Sequence, residues 1–285
     1  MELWGGRLSW KTEVVRLREA NKSWTEIARK MRGCFPDLSE VQVREKVRTA
    51  IPRESKYSGK PVGVFSDPHV PFNHPNYLQF CIDTFKKYGA GRKVCCGDLV
   101  DFHALSRHQT ETCAKSPCDE LEMTIEGVKP FTKAFPEVDL ITGNHDDIYI
   151  RQAATLGIDK RFLKPFSELF KLPNGWKIHS DELIIDNVLY KHGINCTGKN
   201  GALNAALLER LSTVIGHSHS FGGCQYSANP RSIIFGLNVG CGIDIDAYAF
   251  AYGKHSKYRP TLGCGIVFSE TSAIFVPMGQ EYFRN

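Results

Sequence analysis

Five short apolar runs in this chain each end in side chains able to hold a cation. "PVGVFSDPH" ends in Asp67 and His69, and "RKVCCGDLVD" in Asp98 and Asp101. "VDLITGNHD" ends in Asn144, His145 and Asp146, "NVLYKHG" in His192, and "TVIGHSH" in His217 and His219. One such ending is ordinarily a turn polar, or a core histidine bonded to a carbonyl. Five in succession argue for a common site. Carboxylates, imidazoles and an amide oxygen without a thiolate suit Mn, Fe, Ni or Zn better than calcium or an iron–sulfur cluster. Seven candidates, Asp67, His69, Asp98, Asn144, His192, His217 and His219, are too many for one tetrahedral ion. They suffice for two divalent ions sharing a carboxylate, an arrangement that clamps the attacking and leaving oxygens of a phosphoryl displacement.

The runs are of strand length and are separated by helical stretches, which predicts an α/β domain. In open α/β sheets ligands gather beyond the carboxyl ends of strands, where loops from a rigid sheet converge. A run that stays apolar to its last residue and then turns polar fits that placement.

Asp-x-His, Gly-Asp-x-x-Asp, Gly-Asn-His-Asp, a later His and Gly-His-x-His, in this order over residues 62 to about 220, resemble the calcineurin-like metallophosphoesterase superfamily. The resemblance implies two facing mixed β-sheets flanked by helices, with strands in "RSIIFGLNVG" and "GCGIVFSETSAIFVPM" completing the second sheet. It implies one ion on Asp67, His69, Asp98 and His219, and another on Asp98, Asn144, His192 and His217, with Asp98 bridging. His145 would then donate a proton to the leaving oxygen, as suits a ring whose ordinary pKa lies near neutrality. Asp101 would hold His145 in the right tautomer. Mn2+ is the expected metal, with Fe, Zn or Ni as alternatives. The Ser/Thr-phosphatase branch continues the second motif as Asp-Arg-Gly and reads Gly-Asn-His-Glu in the third. Here Asp101-Phe102-His103 and Gly143-Asn144-His145-Asp146 stand instead, a pattern similar to the phosphodiesterase and DNA-repair exonuclease branch.

Residues 1–51 have a different periodicity. Ser23-Trp24-Thr25-Glu26 and Ser39-Glu40-Val41-Gln42 each fit the capping box that starts a helix, and "RGCFPD" interrupts the pattern between them. Three short helices are predicted. The third, bearing Gln42, Arg44 and Arg48, resembles the recognition helix of a helix-turn-helix, which lies in the DNA major groove. A small bundle serving protein contact is the competing reading. Residues 1–60 hold fourteen Lys/Arg against eight Asp/Glu, whereas residues 61–285 are almost balanced, so the excess positive charge sits where a polyanion would be met. Residues 52–60, "PRESKYSGK", form the predicted linker, and 61–285 the phosphoesterase domain.

The first twenty residues are charged and lack the apolar core of a signal peptide, and no apolar run reaches membrane-span length. A cytoplasmic protein is expected, its ten cysteines reduced. Cys113 and Cys118 have loose zinc-ligand spacing, but no second pair accompanies them. Gly193 to Lys199 fits G-x-x-x-x-G-K, yet Asn200 stands where a P-loop needs Ser or Thr, so a strand-to-helix loop is expected. The segment "DAYAFAYGKHSKYRP" interleaves aromatics with cations, as surfaces that stack bases do, and equally as a half-buried strand pair does. The expected function is a two-metal phosphodiesterase acting on DNA as a nuclease. The alternatives are a small-nucleotide phosphodiesterase or phosphomonoesterase, and a DNA-binding regulator on a phosphoesterase scaffold. Joining a helix-turn-helix to a compact phosphoesterase is also similar to metallophosphoesterases carried by bacteriophages, for which the host cytoplasm would be the location.

Overall fold

Strand-forming residues alternate between two interiors. In the computed structural model, Val62 and Val64 of β3 (Val62–Phe65) and Val94 of β4 (Arg92–Cys95) point into a core between two sheets, as does Cys96 just beyond β4. Phe65 and Cys95 point the other way, into a core under the helices. Both faces of these strands are buried, so their sequences read as continuous apolar runs rather than alternating ones. The structure describes residues 3–4, 7–8, 10–19, 22–48, 59–106, 115–247 and 259–282. Most of the predicted linker, His108, Cys113 and residues 248–258 lie outside them.

At the start of the chain a two-residue pairing of β1 (Leu3–Trp4) with β2 (Arg7–Leu8) precedes α1 (Trp10–Glu19), α2 (Trp24–Met31) and α3 (Glu40–Arg48). Both capping boxes form. Ser23 N–H donates to Glu26 Oε2 at 2.9 Å and Glu26 N–H to Ser23 Oγ at 3.2 Å. Ser39 N–H donates to Gln42 Oε1 at 2.9 Å and Gln42 N–H to Ser39 Oγ at 3.3 Å. Val14, Leu17, Trp24, Ile27, Val43 and Val47 close a small core of their own. A hydrogen bond ties this unit to the rest: the Trp24 N–H, in the first turn of α2, donates to Asp181 Oδ2 at 3.1 Å.

The larger part is α/β, with two mixed sheets facing each other and helices outside. The first sheet runs β13-β12-β3-β4-β5-β6, with β5 (Val138–Ile141), β6 (Trp176–His179), β12 (Gly263–Ser269) and β13 (Ser272–Pro277). Its β3 to β6 are parallel, and β12 adds antiparallel to β3. The second runs β10-β11-β9-β8-β7, from β7 (Glu182–Ile185), β8 (Val188–Lys191), β9 (Ser212–Ile215), β10 (Gly222–Asn229) and β11 (Ser232–Val239). Outside the first sheet pack α4 (Tyr77–Lys87) and α5 (Pro117–Ala134), through Phe80, Phe85, Val128 and Phe131. Two short helices, α6 (Ile148–Thr155) and α7 (Phe166–Leu169), follow β5. Against the outer face of the second sheet lies α8 (Gly201–Glu209), joined to β8 by a loop that includes the P-loop-like residues.

One expectation about strand placement is corrected. "RSIIFGLNVG" does supply β11 of the second sheet, but "GCGIVFSETSAIFVPM" folds as β12 and β13 on the edge of the first. Ile266 joins the core under the helices while Val267 joins the core between the sheets. A strand buried on both sides carries no mark of which sheet it extends.

Candidate metal centre

The loops after β3, β4, β5, β8 and β9 bring the seven predicted ligands together, with His145 and Asp101 beside them. Asp67, His69 and Asp98 are fully buried and His192 nearly so. In one group His69 Nε2 lies 3.1 Å from His219 Nε2, and His219 Nε2 lies 3.1 Å from Asp67 Oδ1. In the other, His192 Nε2 lies 3.1 Å from Asn144 Oδ1, 3.2 Å from His217 Nδ1 and 3.2 Å from Asp98 Oδ2. Asp98 Oδ2 is also 3.7 Å from His69 Nε2, so a single oxygen faces both groups.

The donor set fits divalent cations. His69 Nδ1 and His192 Nδ1 are already engaged, by Asp101 Oδ1 at 2.6 Å and the Cys96 carbonyl at 2.7 Å. A neutral ring that donates from Nδ1 presents a lone pair at Nε2. Both Nε2 atoms face other nitrogens and carboxyl or amide oxygens, a cluster that calls for positive charge. A cation would supply it, and without one protonation does, since against the burial that opposes it the charge and hydrogen bond of Asp98 raise His192 to about 10. Donors at about 2.1 Å from one ion are spaced about 3.0–3.4 Å apart along the edges of its coordination shell, which is the spacing observed.

The backbone is shaped for convergence. Asp67, His69, Asp98 and His217 have φ of 52°, 53°, 49° and 65°, a left-handed conformation uncommon outside glycine. Such strain costs about 1–2 kcal/mol per residue and gathers where a site demands it. Interstrand bonds hold the turns, with Asp67 N–H on the Gly97 carbonyl at 2.9 Å and His69 N–H on the Asp98 carbonyl at 3.1 Å. Gly216 is needed for close approach, because any Cβ there would collide with Ser66 Oγ and Asp67 Oδ2.

The electrostatics follow from burial and pairing. Burial opposes charge on Asp98, but the charge and hydrogen bond of His192, with further help from His145 and His69, hold it well below the usual carboxylate range. Burial likewise opposes charge on His145, yet the hydrogen bond to Asp101 and the charges of Asp98 and Asp101 raise it to about 10. His145 Nδ1–H points at the Asp101 carbonyl at 2.7 Å and lies 3.2 Å from its Oδ1, while His145 N–H donates to Asp98 Oδ1 at 2.8 Å. His69 is pushed down, by burial first and by His145 second.

Several residues around this centre have contacts that sequence reasoning did not assign. Asp101 bonds His69 as well as His145. Buried Asp146 accepts from Gly143 N–H at 2.8 Å and Val100 N–H at 3.1 Å. Ser66 Oγ–H donates to Asp67 Oδ2, and an Arg151 Nη2–H to the Asn144 carbonyl. Only Asp146 had a signal, its place in the third motif. The predicted nucleic-acid contacts are not part of this cluster. Gln42 and Arg44 lie on α3, where Gln42 is exposed with Oε1 engaged in its capping box and Arg44 is half-buried. Of Arg48, only its place at the end of α3 is described.

No protein-family profile matches the chain, and no curated protein matches its sequence. Solved structures give distant likenesses. Vacuolar protein sorting 29 from Cryptosporidium parvum is 13% identical with TM-score 0.37, covering 73% of this chain and 84% of that one. YfcE, a phosphoesterase from E. coli, is 14% identical with TM-score 0.34, covering 76% of this chain and 98% of that one. The Pseudomonas putida nuclease MPE is 12% identical with TM-score 0.32, covering 76% and 87%. Likenesses at this level carry no argument, and the chemistry of the centre rests on its own atoms.

Proposed function

We propose that the chain is a two-metal phosphodiesterase of the calcineurin-like kind, acting on nucleic acid as a nuclease. The observation that carries this reading is the pair of buried donor groups that converge on a shared Asp98 oxygen. Asp67, His69, Asp98 and His219 would hold one divalent ion, and Asp98, Asn144, His192 and His217 the other, with Mn2+ as the first candidate. Bound there, the ions supply Lewis-acid stabilisation of phosphoryl charge and activation of water near neutral pH.

The chain's own groups do the remaining work. Asp101 and the Cys96 carbonyl fix the tautomers of His69 and His192, so both rings present Nε2 inward. His145 keeps its Nδ1 proton on Asp101, which leaves the Nε2 proton for transfer to a departing alkoxide. With 17% of its side chain exposed, His145 stands at the opening of a centre whose carboxylates are sealed, where a substrate oxygen can meet it. The helical unit, joined to the β6–β7 turn through Trp24 and Asp181, supplies the DNA-binding surface in this reading. The basic balance of residues 1–60 supports that part.

A diester, a monoester and DNA assayed with added Mn2+, with chelator as control, test the proposal. Metal-dependent cleavage of DNA and of the diester, lost in Asp98→Asn together with bound metal, is the expected outcome. Turnover of mononucleotides or cyclic nucleotides alone would replace the nuclease reading with a small-nucleotide one, and DNA binding without any turnover would leave a regulator.

A further inference from the structure

Phe162 is 83% exposed, more than any other large apolar side chain among the described residues. It ends a short 3-10 turn, Lys160–Phe162, that follows α6. Exposing a phenyl ring to water gives up about 2 kcal/mol of burial, so a ring held outward on an ordered turn calls for an occupant. The surroundings state its sign. Residues 151–171 hold five cations, Arg151, Lys160, Arg161, Lys164 and Lys171, against two carboxylates. Those carboxylates are engaged locally, Asp159 with Arg161 at 3.0 Å and Glu168 with Lys164 at 3.6 Å.

The turn is fixed to the metal centre. α6 begins directly after the Asn144–Asp146 loop and packs against this turn at one end. It also packs against the turn His103–Leu105, which follows Asp101. Tyr149 of α6 donates its hydroxyl to the Lys164 carbonyl at 3.2 Å, and its ring packs on Phe102 at 5.6 Å. Arg151, two residues on, reaches back to the Asn144 carbonyl. The turn is thus tied through α6 to the loops that carry Asn144 and Asp101.

We infer that Phe162, with Lys160, Arg161 and Lys164, is a base-stacking platform for single-stranded nucleic acid on the segment that α6 ties to the metal centre. The inference rests on the phosphodiesterase reading for its substrate class. An aromatic face accepts any base, and adjacent cations neutralise the backbone, the combination by which single strands are held without sequence preference. Leu156 and Ile158, 76% and 43% exposed on the same segment, extend the apolar surface beside the ring. A protein partner would also use such surface, but the charge balance of the segment favours a polyanion whose bases can stack.

The test uses the full-length chain in chelator, so that binding is read without cleavage. Anisotropy of a labelled twelve-residue oligothymidylate is compared with that of an abasic phosphodiester strand of equal length. Phe162→Ala is expected to weaken oligothymidylate binding about 5- to 100-fold and to leave the abasic strand unaffected, while Phe162→Trp keeps wild-type affinity. Lys160→Ala with Lys164→Ala should weaken both strands and flatten the salt dependence. The ring is so exposed that its removal opens no cavity, which keeps the variant folded. Unchanged oligothymidylate binding in Phe162→Ala, or equal weakening toward both strands, overturns the platform. Wild-type turnover of a small diester with Mn2+, measured separately, decides the phosphodiesterase reading whatever the binding result.

Discussion

Asp101→Asn separates two jobs that one carboxylate performs. Its Oδ1 lies 2.6 Å from His69 Nδ1 and 3.2 Å from His145 Nδ1, and the side chain is 2% exposed. The amide keeps one acceptor and the volume but loses the charge. A hydrogen bond to a charged partner is worth about 1.5–3 kcal/mol and a neutral one about 0.5–1.5, so each ring loses on the order of 1 kcal/mol of orientation. At His69 that loss is felt by a ligand, and the ordinary consequence of removing such a partner is a 10–100-fold fall in metal affinity. At His145 the charge of Asp101 is one of the causes that raise the ring to about 10, so its removal lowers the protonated fraction. General acid catalysis contributes about 10²–10⁴-fold, which bounds the further loss.

The assay is hydrolysis of a diester pair with a good and a poor leaving group at saturating Mn2+, with metal affinity measured by calorimetry. Asp101→Asn should bind metal more weakly and, once saturated, lose more kcat on the poor leaving group than on the good one. Combined with His145→Ala it should cost no additional kcat, because the acid through which it acts is gone. Weaker metal binding with equal kcat losses on both substrates would assign Asp101 to His69 alone and refute its action through His145.

Gly216→Ala should displace Asp67, because the added Cβ meets Ser66 Oγ and Asp67 Oδ2 in a sealed pocket, with Ser66 Cβ 2.7 Å away. The expected cost is about 1–3 kcal/mol of stability with loss of one metal equivalent, and full metal stoichiometry by elemental analysis would contradict it. Glu120 is buried, accepts N–H groups of His103 and Ala104 at 2.6 and 2.7 Å, and is raised from 4.5 to about 7, by burial first. A carboxyl whose folded value lies above its unfolded one contributes stability fully present below about pH 4.5 and lost as pH rises through about 7. Urea denaturation in chelator from pH 5 to 8 should therefore show a decline that Glu120→Gln flattens. The difference is bounded by about 3 kcal/mol and reduced by residual hydration; identical slopes would exclude Glu120 as the source.

The candidate ligands could be located because strands such as β3 and β9 stay buried to their last residue, so the residue at which each run turns polar marks the loop that leaves the sheet. Asp67, Asp98 and His217 stand at such points, and the structure places all seven predicted ligands in one cluster. The capping boxes at Ser23 and Ser39 were legible for a related reason, since four consecutive residues contain the whole interaction. The sheet to which β12 and β13 belong was not, because membership depends on an edge some 200 residues away in sequence and β12 is buried on both sides. Neither was the bond from Asp101 to His69, since the two residues meet only once the loops after β3 and β4 are folded against each other. Arg151 escaped notice because its bond is to a backbone carbonyl, which leaves no pattern of side-chain types.

The strained turns and the carboxylates beneath them belong to a single device. Asp98 is left-handed, and the loop on which it sits must be kept against the loop of Asn144 for both donor groups to exist. Asp146 does this by accepting one N–H from each loop, Gly143 from its own and Val100 from the other, while Asp98 Oδ1 reaches back to His145 N–H. Three backbone donors are thereby satisfied by two carboxylates across the gap, and neither loop can relax without stranding a buried donor at about 1–3 kcal/mol. That penalty is of the same order as the left-handed strain it opposes. The two carboxylates therefore offset part of the strain in the two loops they hold together. Burial raises Asp146 to about 7, with the charge of Asp98 as the second cause, so Asp146 and Asp98 are coupled electrostatically as well as through the backbone. The fourth residue of Gly-Asn-His-Asp thus acts on the centre while reaching inward to the backbone, which is why its chemistry could not be read by counting ligands.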